Sequence, residues 1–244
     1  GQLVFVTWSS TQSGSIRVFD PANGKPAKKI SQYDDTYYSP VFSADDKIVY
    51  ALRANQQDRL NTQAEVFQPV ENALIKIDLS TGRQETLIPR INARHLALNE
   101  AGDRLFADTA GGFKSVSLAQ PGDVTTSLIV DMSGNQYIEA KLPAEAVRRS
   151  PDGKSVLVRS GAKLYFIDGT ELSADTPFDL SMHADSLIIK GGVDDFGWLS
   201  STDFYWLSGN TWHRGTVDNV NAQTVALSAR IPRDIPEQSL LLRG

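Results

Sequence analysis

A short turn recurs along the chain at near-constant spacing, and no other feature narrows the possible folds as much. The clearest copy is Ser150-Pro151-Asp152-Gly153-Lys154, which runs into the apolar stretch Ser155-Val156-Leu157-Val158. Ser43-Ala44-Asp45-Asp46-Lys47 leads in the same way into Ile48-Val49-Tyr50, and Asn99-Glu100-Ala101-Gly102-Asp103-Arg104 into Leu105-Phe106. Ser200-Ser201-Thr202-Asp203 before Phe204-Tyr205-Trp206 is a worn fourth copy. The chemistry is that of a tight reversal: proline presets φ, aspartate bonds its own backbone, and glycine accepts a positive φ. Each copy therefore predicts a hairpin between two antiparallel strands, with Val156 and Val158 on one face of the second strand and Leu157 on the other.

A third strand and often a second turn follow each copy. Ile16-Arg17-Val18-Phe19-Asp20 precedes Asn23-Gly24-Lys25, and Leu74-Ile75-Lys76-Ile77-Asp78 precedes Thr81-Gly82-Arg83. With Asp46, Gly102, Gly153 and Asp203 as equivalent positions, the repeats are 56, 51 and 50 residues long. Propeller blades typically repeat every ~40 to 50 residues, with short strands in a meander. The expectation is an all-β chain, a β-propeller with about five blades or partial blades here and six when complete. Helical periodicity is nearly absent, and residues 142–149 read as the approach to a strand. Gly1-Gln2-Leu3-Val4-Phe5-Val6 matches Gly153-Lys154-Ser155-Val156-Leu157-Val158, so the chain is expected to begin at the end of a turn, with that blade's first strand lacking. Residues 1–223 are assigned to blades, and 224–244 to a closing strand and a linker to a downstream domain.

The Ser-Pro-Asp-Gly-Lys turn, the apolar strand after it and the Asp-x-x-Thr-Gly-Arg strand exit at residues 78–83 resemble the repeat of TolB-like propellers. WD repeats fit less well, because no Trp-Asp pair ends a strand. Such propellers also form non-catalytic domains of prolyl oligopeptidases and of some bacterial amidohydrolase-related proteins. The C-terminal segments 225–233 and Leu240-Leu241-Leu242-Arg243-Gly244 are similar to the propeller exit in TolB-type amidohydrolase fusions. That resemblance implies a recognition or gating scaffold in a periplasmic or extracellular protein. Its partner would be another protein or a downstream catalytic domain, and any zinc would belong to that domain. The rival is a stand-alone protein-binding propeller of the bacterial cell envelope.

Composition limits the remaining classes. The formal charge of -5 is spread along the chain without a basic block, so nucleic acid is not an expected partner. Lys25, Lys28 and Lys29, and likewise Arg148 and Arg149, read as solvated surface charge. No run approaches the roughly 18 apolar residues of a membrane helix. The absence of cysteine removes disulfides and thiolate metal sites, and leaves the compartment open.

No catalytic constellation is legible. A metal-dependent amidohydrolase needs a His-x-His pair and further ligands, whereas His95, His183 and His213 lie far apart; no cofactor is expected in this chain. His95 reads as a packed or channel-lining residue. Ser13-Gly14-Ser15 and Ser133-Gly134 are turns rather than a nucleophile elbow, and Gly111-Gly112 and Gly191-Gly192 lack the helix a phosphate loop requires. Asp45, Asp152 and Asp203 cap their own turns. Trp198, Trp206 and Trp212, with Phe196, Phe204 and Tyr205, pack between blades. A possible binding loop remains: residues 55–72 and their approach are long and polar, with Arg53, Asp58, Arg59, Glu65 and Phe67 as its candidate contacts.

Overall fold

The computed structural model describes residues 1–9, 11, 13–55, 71–109, 112–127, 145–169, 180 and 184–228. Among them, strands follow one another into five antiparallel sheets, each paired in chain order. The first holds β1 (Leu3–Ser9), β2 (Ser13–Phe19) and β3 (Lys28–Lys29). The second holds β4 (Thr36–Phe42), β5 (Ile48–Ala54), β6 (Ala73–Asp78) and β7 (Gln84–Ile88). The third is β8 (Ala93–Leu98), β9 (Arg104–Thr109), β10 (Gly112–Ser117) and β11 (Val124–Ser127). The fourth is β12 (Ala146–Arg149), β13 (Ser155–Ser160), β14 (Lys163–Asp168) and β15 (Leu187–Ile189). The fifth is β16 (Asp195–Trp198), β17 (Asp203–Ser208), β18 (Thr211–Thr216) and β19 (Asn219–Ala226). β2 leads into Phe19-Asp20 as β6 leads into Ile77-Asp78, so the strands of the first sheet match the second to fourth strands of the others.

The recurring turn joins the first and second strands of a sheet, and its leading residue is the clamp. Ser150 Oγ bonds Asp152 Oδ1 (2.6 Å) and accepts from Ser155 N (2.9 Å), while Asp152 Oδ1 also accepts from Lys154 N (3.1 Å). Ser43 repeats this with Asp45 (2.7 Å) and Ile48 N (3.0 Å). In the third sheet Asn99 Oδ1 accepts from both Asp103 N (3.1 Å) and Arg104 N (2.8 Å). Gly153 and Gly102 take φ of 76° and 73°, and Asp46 fills the same place at 56°, a conformation that aspartate tolerates better than most residues. The worn copy departs from the pattern. Asp203 already begins β17, and its carbonyl accepts from Leu199 N and Ser200 N (2.8 and 3.1 Å).

The core is a series of layers between consecutive sheets, because alternate side chains of a strand enter opposite layers. Val49 and Ala51 pack with Ile16 between the first two sheets, while Tyr50 and Leu52 pack with Leu105 and Ala107 between the second and third. Val156 and Val158 join Phe106 in the next layer, and Leu157 joins Phe196, Phe204 and Trp206 in the last. The sheets are thus covered on both faces wherever a neighbour stands. Of the late aromatics, Phe196, Phe204 and Trp206 are core with Trp198 packed against them, its ring meeting Phe204 edge-on with centroids 6.2 Å apart, whereas Tyr205 and Trp212 are half-buried and outside that layer. On β1, Val4 and Val6 face the second sheet, whereas Leu3 and Phe5 point the other way and are exposed.

First strands of successive sheets approach one another, β4 beside β8 and β12 beside β16, and so surround a common axis. The recurring turns gather at one end of it, where Glu100 N donates to Pro151 O (2.9 Å) and Ser201 Oγ to Glu100 Oε2 (3.2 Å). The ends of the second strands and the starts of the third, with the described strand ends that lead from one sheet to the next, lie at the opposite, loop end.

Candidate functional site at the loop end

Arg53, near the end of β5, is the one predicted binding-loop residue within the described part of the chain; Asp58, Arg59, Glu65 and Phe67 lie outside it, as does His183. Its partner was not legible. Asp35, just before β4, accepts from Arg53 Nε through Oδ2 (2.8 Å) and from Thr36 N through Oδ1 (3.0 Å). The Arg53 guanidinium also lies over the Tyr33 ring, 4.7 Å from its centroid. Asp35 is fixed in turn by the first sheet, its amide donating to Gly14 O (3.1 Å). A Cβ on Gly14 would stand 2.3 Å from the Asp35 carbonyl oxygen, so only glycine permits this approach.

Beside Arg53 opens a cleft of about 260 Å³, lined by Arg53, Asn55, Glu71, Asn72, Pro89 and Arg90 among others. Asn72 lines it and joins two sheets: Nδ2 donates to Ala93 O (2.6 Å) and Oδ1 accepts from Ala93 N (3.0 Å). Both bonds lock the start of β8 against the approach to β6. Arg90 reaches only loosely toward Glu71, with Nε 3.9 Å from Oε2, and its side chain is 77% exposed.

A second cluster sits deeper. Asp108 on β9 is buried, and its Oδ2 accepts from Val147 N and from an Arg148 Nη, both at 3.2 Å. Arg148 was read from sequence as solvated; its side chain is only 14% exposed, lies over the Phe196 ring and belongs to the boundary between three sheets. Arg149 is likewise half-buried, against Phe106 and the Gly153 carbonyl. A strand between two packed sheets has no solvated face, which is why adjacent arginines are both drawn inward. Asp108 Oδ1, Arg148 Nε and Arg159 Nε are buried without a hydrogen-bond partner among the described residues, each costing about 1–3 kcal/mol.

Burial sets the electrostatics. Desolvation lifts the Asp108 carboxyl to about 6, against the pull of Val147 N and the Arg148 charge. His95, opposite Asp108 in the β8–β9 pairing, is lowered to about 3 by burial and then by Arg148. Although part of its surface is exposed, the imidazole is neutral at physiological pH. Burial also lowers Arg148, with Asp108 and Asp195 opposing the shift. His213 is elsewhere, stacked on Trp206 at 4.8 Å. Among the described residues, no three His, Asp or Glu side chains converge as a metal site, and none forms a helix long and apolar enough to cross a membrane.

Five meander sheets around an axis, with polar clusters at the loop end, define the chain as a β-propeller. Its fold is similar to TolB from Acinetobacter baumannii, at 14% identity and a TM-score of 0.57 over 92% of this chain. The chain spans about half of that structure, 51% of its length. A structure of a nidogen/laminin complex aligns over 93% of this chain and 78% of its own, at 12% identity and a TM-score of 0.58. A structure described as a putative 6-phosphogluconolactonase from Bacteroides fragilis aligns over 93% and 68%, at 15% identity and 0.51. No protein-family model and no curated protein matches the sequence.

Proposed function

We propose that the chain is a non-catalytic recognition or gating scaffold, the propeller of a bacterial amidohydrolase-related protein. Residues 1–223 supply the blades, and 224–244 the closing strand and the link to a catalytic domain, which would hold any zinc. The observation that carries the recognition role is the loop-end cleft, where Arg53 at the end of a strand and Asn72 beside the next are oriented by groups held by neighbouring sheets. The C-terminal resemblance supports the amidohydrolase setting, and the periplasm or cell exterior is the compartment that goes with it. The likeness to TolB and to a structure of a protein complex favours a second reading, a stand-alone protein-binding propeller of the cell envelope.

The test is an assay of the purified chain, with and without Zn²⁺, against a panel of amide and ester substrates. The scaffold role predicts no turnover. Turnover that disappears on replacing His95, His183 or His213 would overturn it.

A further inference from the structure

We infer that the inner edge of β1 is a strand-acceptor site, which binds an extended segment of a partner polypeptide antiparallel to β1. The inference goes beyond the role proposed above and stands on the first sheet alone. In the other four sheets the strand that corresponds to β1 lies between two neighbours: β5 between β4 and β6, β9 between β8 and β10, β13 between β12 and β14, and β17 between β16 and β18. Among the described residues β1 pairs with β2 only, so along residues 3–7 one row of backbone N–H and C=O groups has no strand beside it. Burial shows the same difference. Leu3 faces Phe19 across the β1–β2 pair as Val49 faces Ile77, Leu105 faces Val116 and Val156 faces Ile167. Leu3 and Phe5 are 56% and 37% exposed, whereas Val49 and Ala51, Leu105 and Ala107, and Val156 and Val158 are wholly buried.

Exposed strand edges are ordinarily blunted by charge, proline, bulges or shortness, because an open edge is a template for another strand. Other edges of this molecule use those devices. β3 is two lysines and β15 three residues long; β4 carries Pro40 and a register shift, and β12 ends in two arginines. β1 reads Leu-Val-Phe-Val-Thr-Trp-Ser, without charge or proline, and its pairing with β2 runs from Leu3 to Ser9 with no register shift.

The molecule itself shows what fills that place. β4, β8, β12 and β16 occupy it in the other sheets, each antiparallel to its second strand. Such a strand sends side chains into both adjoining layers, as Tyr37 and Phe42 of β4 join Val49 while Tyr38 and Val41 join Leu96. The occupant is therefore a short extended segment with apolar side chains on both faces, bound through main-chain hydrogen bonds and recognised by alternate side chains. Its start lies beside Thr7 at the loop end and its finish beside Leu3 at the turn end. Residues on one of its faces would join the layer that Val4 and Val6 share with Tyr37. β4 stands close beside β1 near the axis, so the edge admits a single strand, whereas a second copy of the chain pairing edge to edge would have to pass β4.

The test measures amide hydrogen exchange in the whole chain by NMR, with four acetylated and amidated peptides as probes: residues 35–43, 92–99, 145–150 and 194–199, which carry β4, β8, β12 and β16. At least one peptide should bind saturably and slow exchange about tenfold or more at alternate amides of residues 3–7, those that β2 leaves unpaired. The same peptide with alternate backbone nitrogens methylated should give no protection, because it lacks the donors of one edge. Phe5→Lys places a charge at an exposed position of the strand and should weaken binding about tenfold while the chain stays folded. Four peptides without effect, or a methylated peptide that protects equally, would overturn the acceptor site. Two results with the chain alone would overturn it as well: alternate protection at low concentration, which gives the edge to another segment of the same chain, and protection that grows with concentration alongside a dimer, which gives it to a second copy. The readout is separate from turnover, so hydrolysis in the assay above would end the scaffold role and leave this result standing.

Discussion

At the turn end of the propeller, Asp45, Asp78 and Asp152 accept hydrogen bonds from residues two or three positions away. At the loop end, Asp108 meets Val147 and Arg148 of the next sheet, 39 and 40 residues on. The consequence is a difference of sign. Hydrogen bonds from Ser43 and Lys47 hold the exposed Asp45 carboxyl below its ordinary range, and Ser80 and Thr81 hold Asp78 at about 2. Burial pushes Asp108 up instead. Similar contacts recur between other sheets: Asn72 to Ala93, Ser39 Oγ from Leu96 N (2.9 Å), and Trp198 Nε1 to Arg148 O (2.9 Å). The turn carboxylates are thus held within their own blades, even where the turns touch one another through Glu100, Pro151 and Ser201, whereas the loop-end groups are held between blades, and there residues from different parts of the sequence can be set against a ligand.

The largest effect should come from breaking the between-blade pair. Arg148→Ala strands a buried carboxylate, and loss of one member of such a pair costs about 3–5 kcal/mol, readable as a lower midpoint in urea unfolding. Gly153→Ala tests the turn end through backbone strain alone. A Cβ there meets nothing nearer than Arg149 Nε at 3.6 Å, so the positive φ sets the penalty, about 1–2 kcal/mol. Ser43→Ala removes the hydroxyl that clamps Asp45 and Ile48 N, at a cost of about 1 kcal/mol by the same unfolding assay. Were Arg148→Ala to cost no more than Ser43→Ala, the contrast between the ends would collapse.

The same contrast explains what was legible in the sequence. The turns were, because Ser150, Asp152 and Gly153 act on neighbours, and the alternation of Val156, Leu157 and Val158 follows from strand geometry. The fold came with them. Asp35, Asn72, Arg90 and Asp108 were not, since nothing local says which residues of another sheet they will meet. Arg148 was misread as surface charge beside Arg149. A signal was present: two positions before each turn the other blades carry Val41, Ala97 and Trp198, so an arginine at that place is an exception in a packed strand. Arg53 was singled out for its place on a long loop, and its role depends on Asp35, eighteen positions earlier.

The most direct test of the two-ended account is the pH dependence of stability in Asp108→Asn and His95→Gln. Asp108 titrates near 6 in the native state and near 3.8 ordinarily, so the native state holds a proton the unfolded chain has released. Its contribution is full below about 4 and is lost as pH rises toward about 6. His95 goes the other way, from 6.5 to about 3: the unfolded chain takes up a proton that the native state refuses. Its contribution is full above 6.5 and is lost as pH falls toward about 3. Between about pH 4 and pH 6 the two oppose each other, while the turn carboxylates act lower. Urea unfolding across that window should show His95→Gln losing stability as pH rises and Asp108→Asn gaining it. Parallel profiles in the two variants would contradict a buried charge cluster between blades at the loop end.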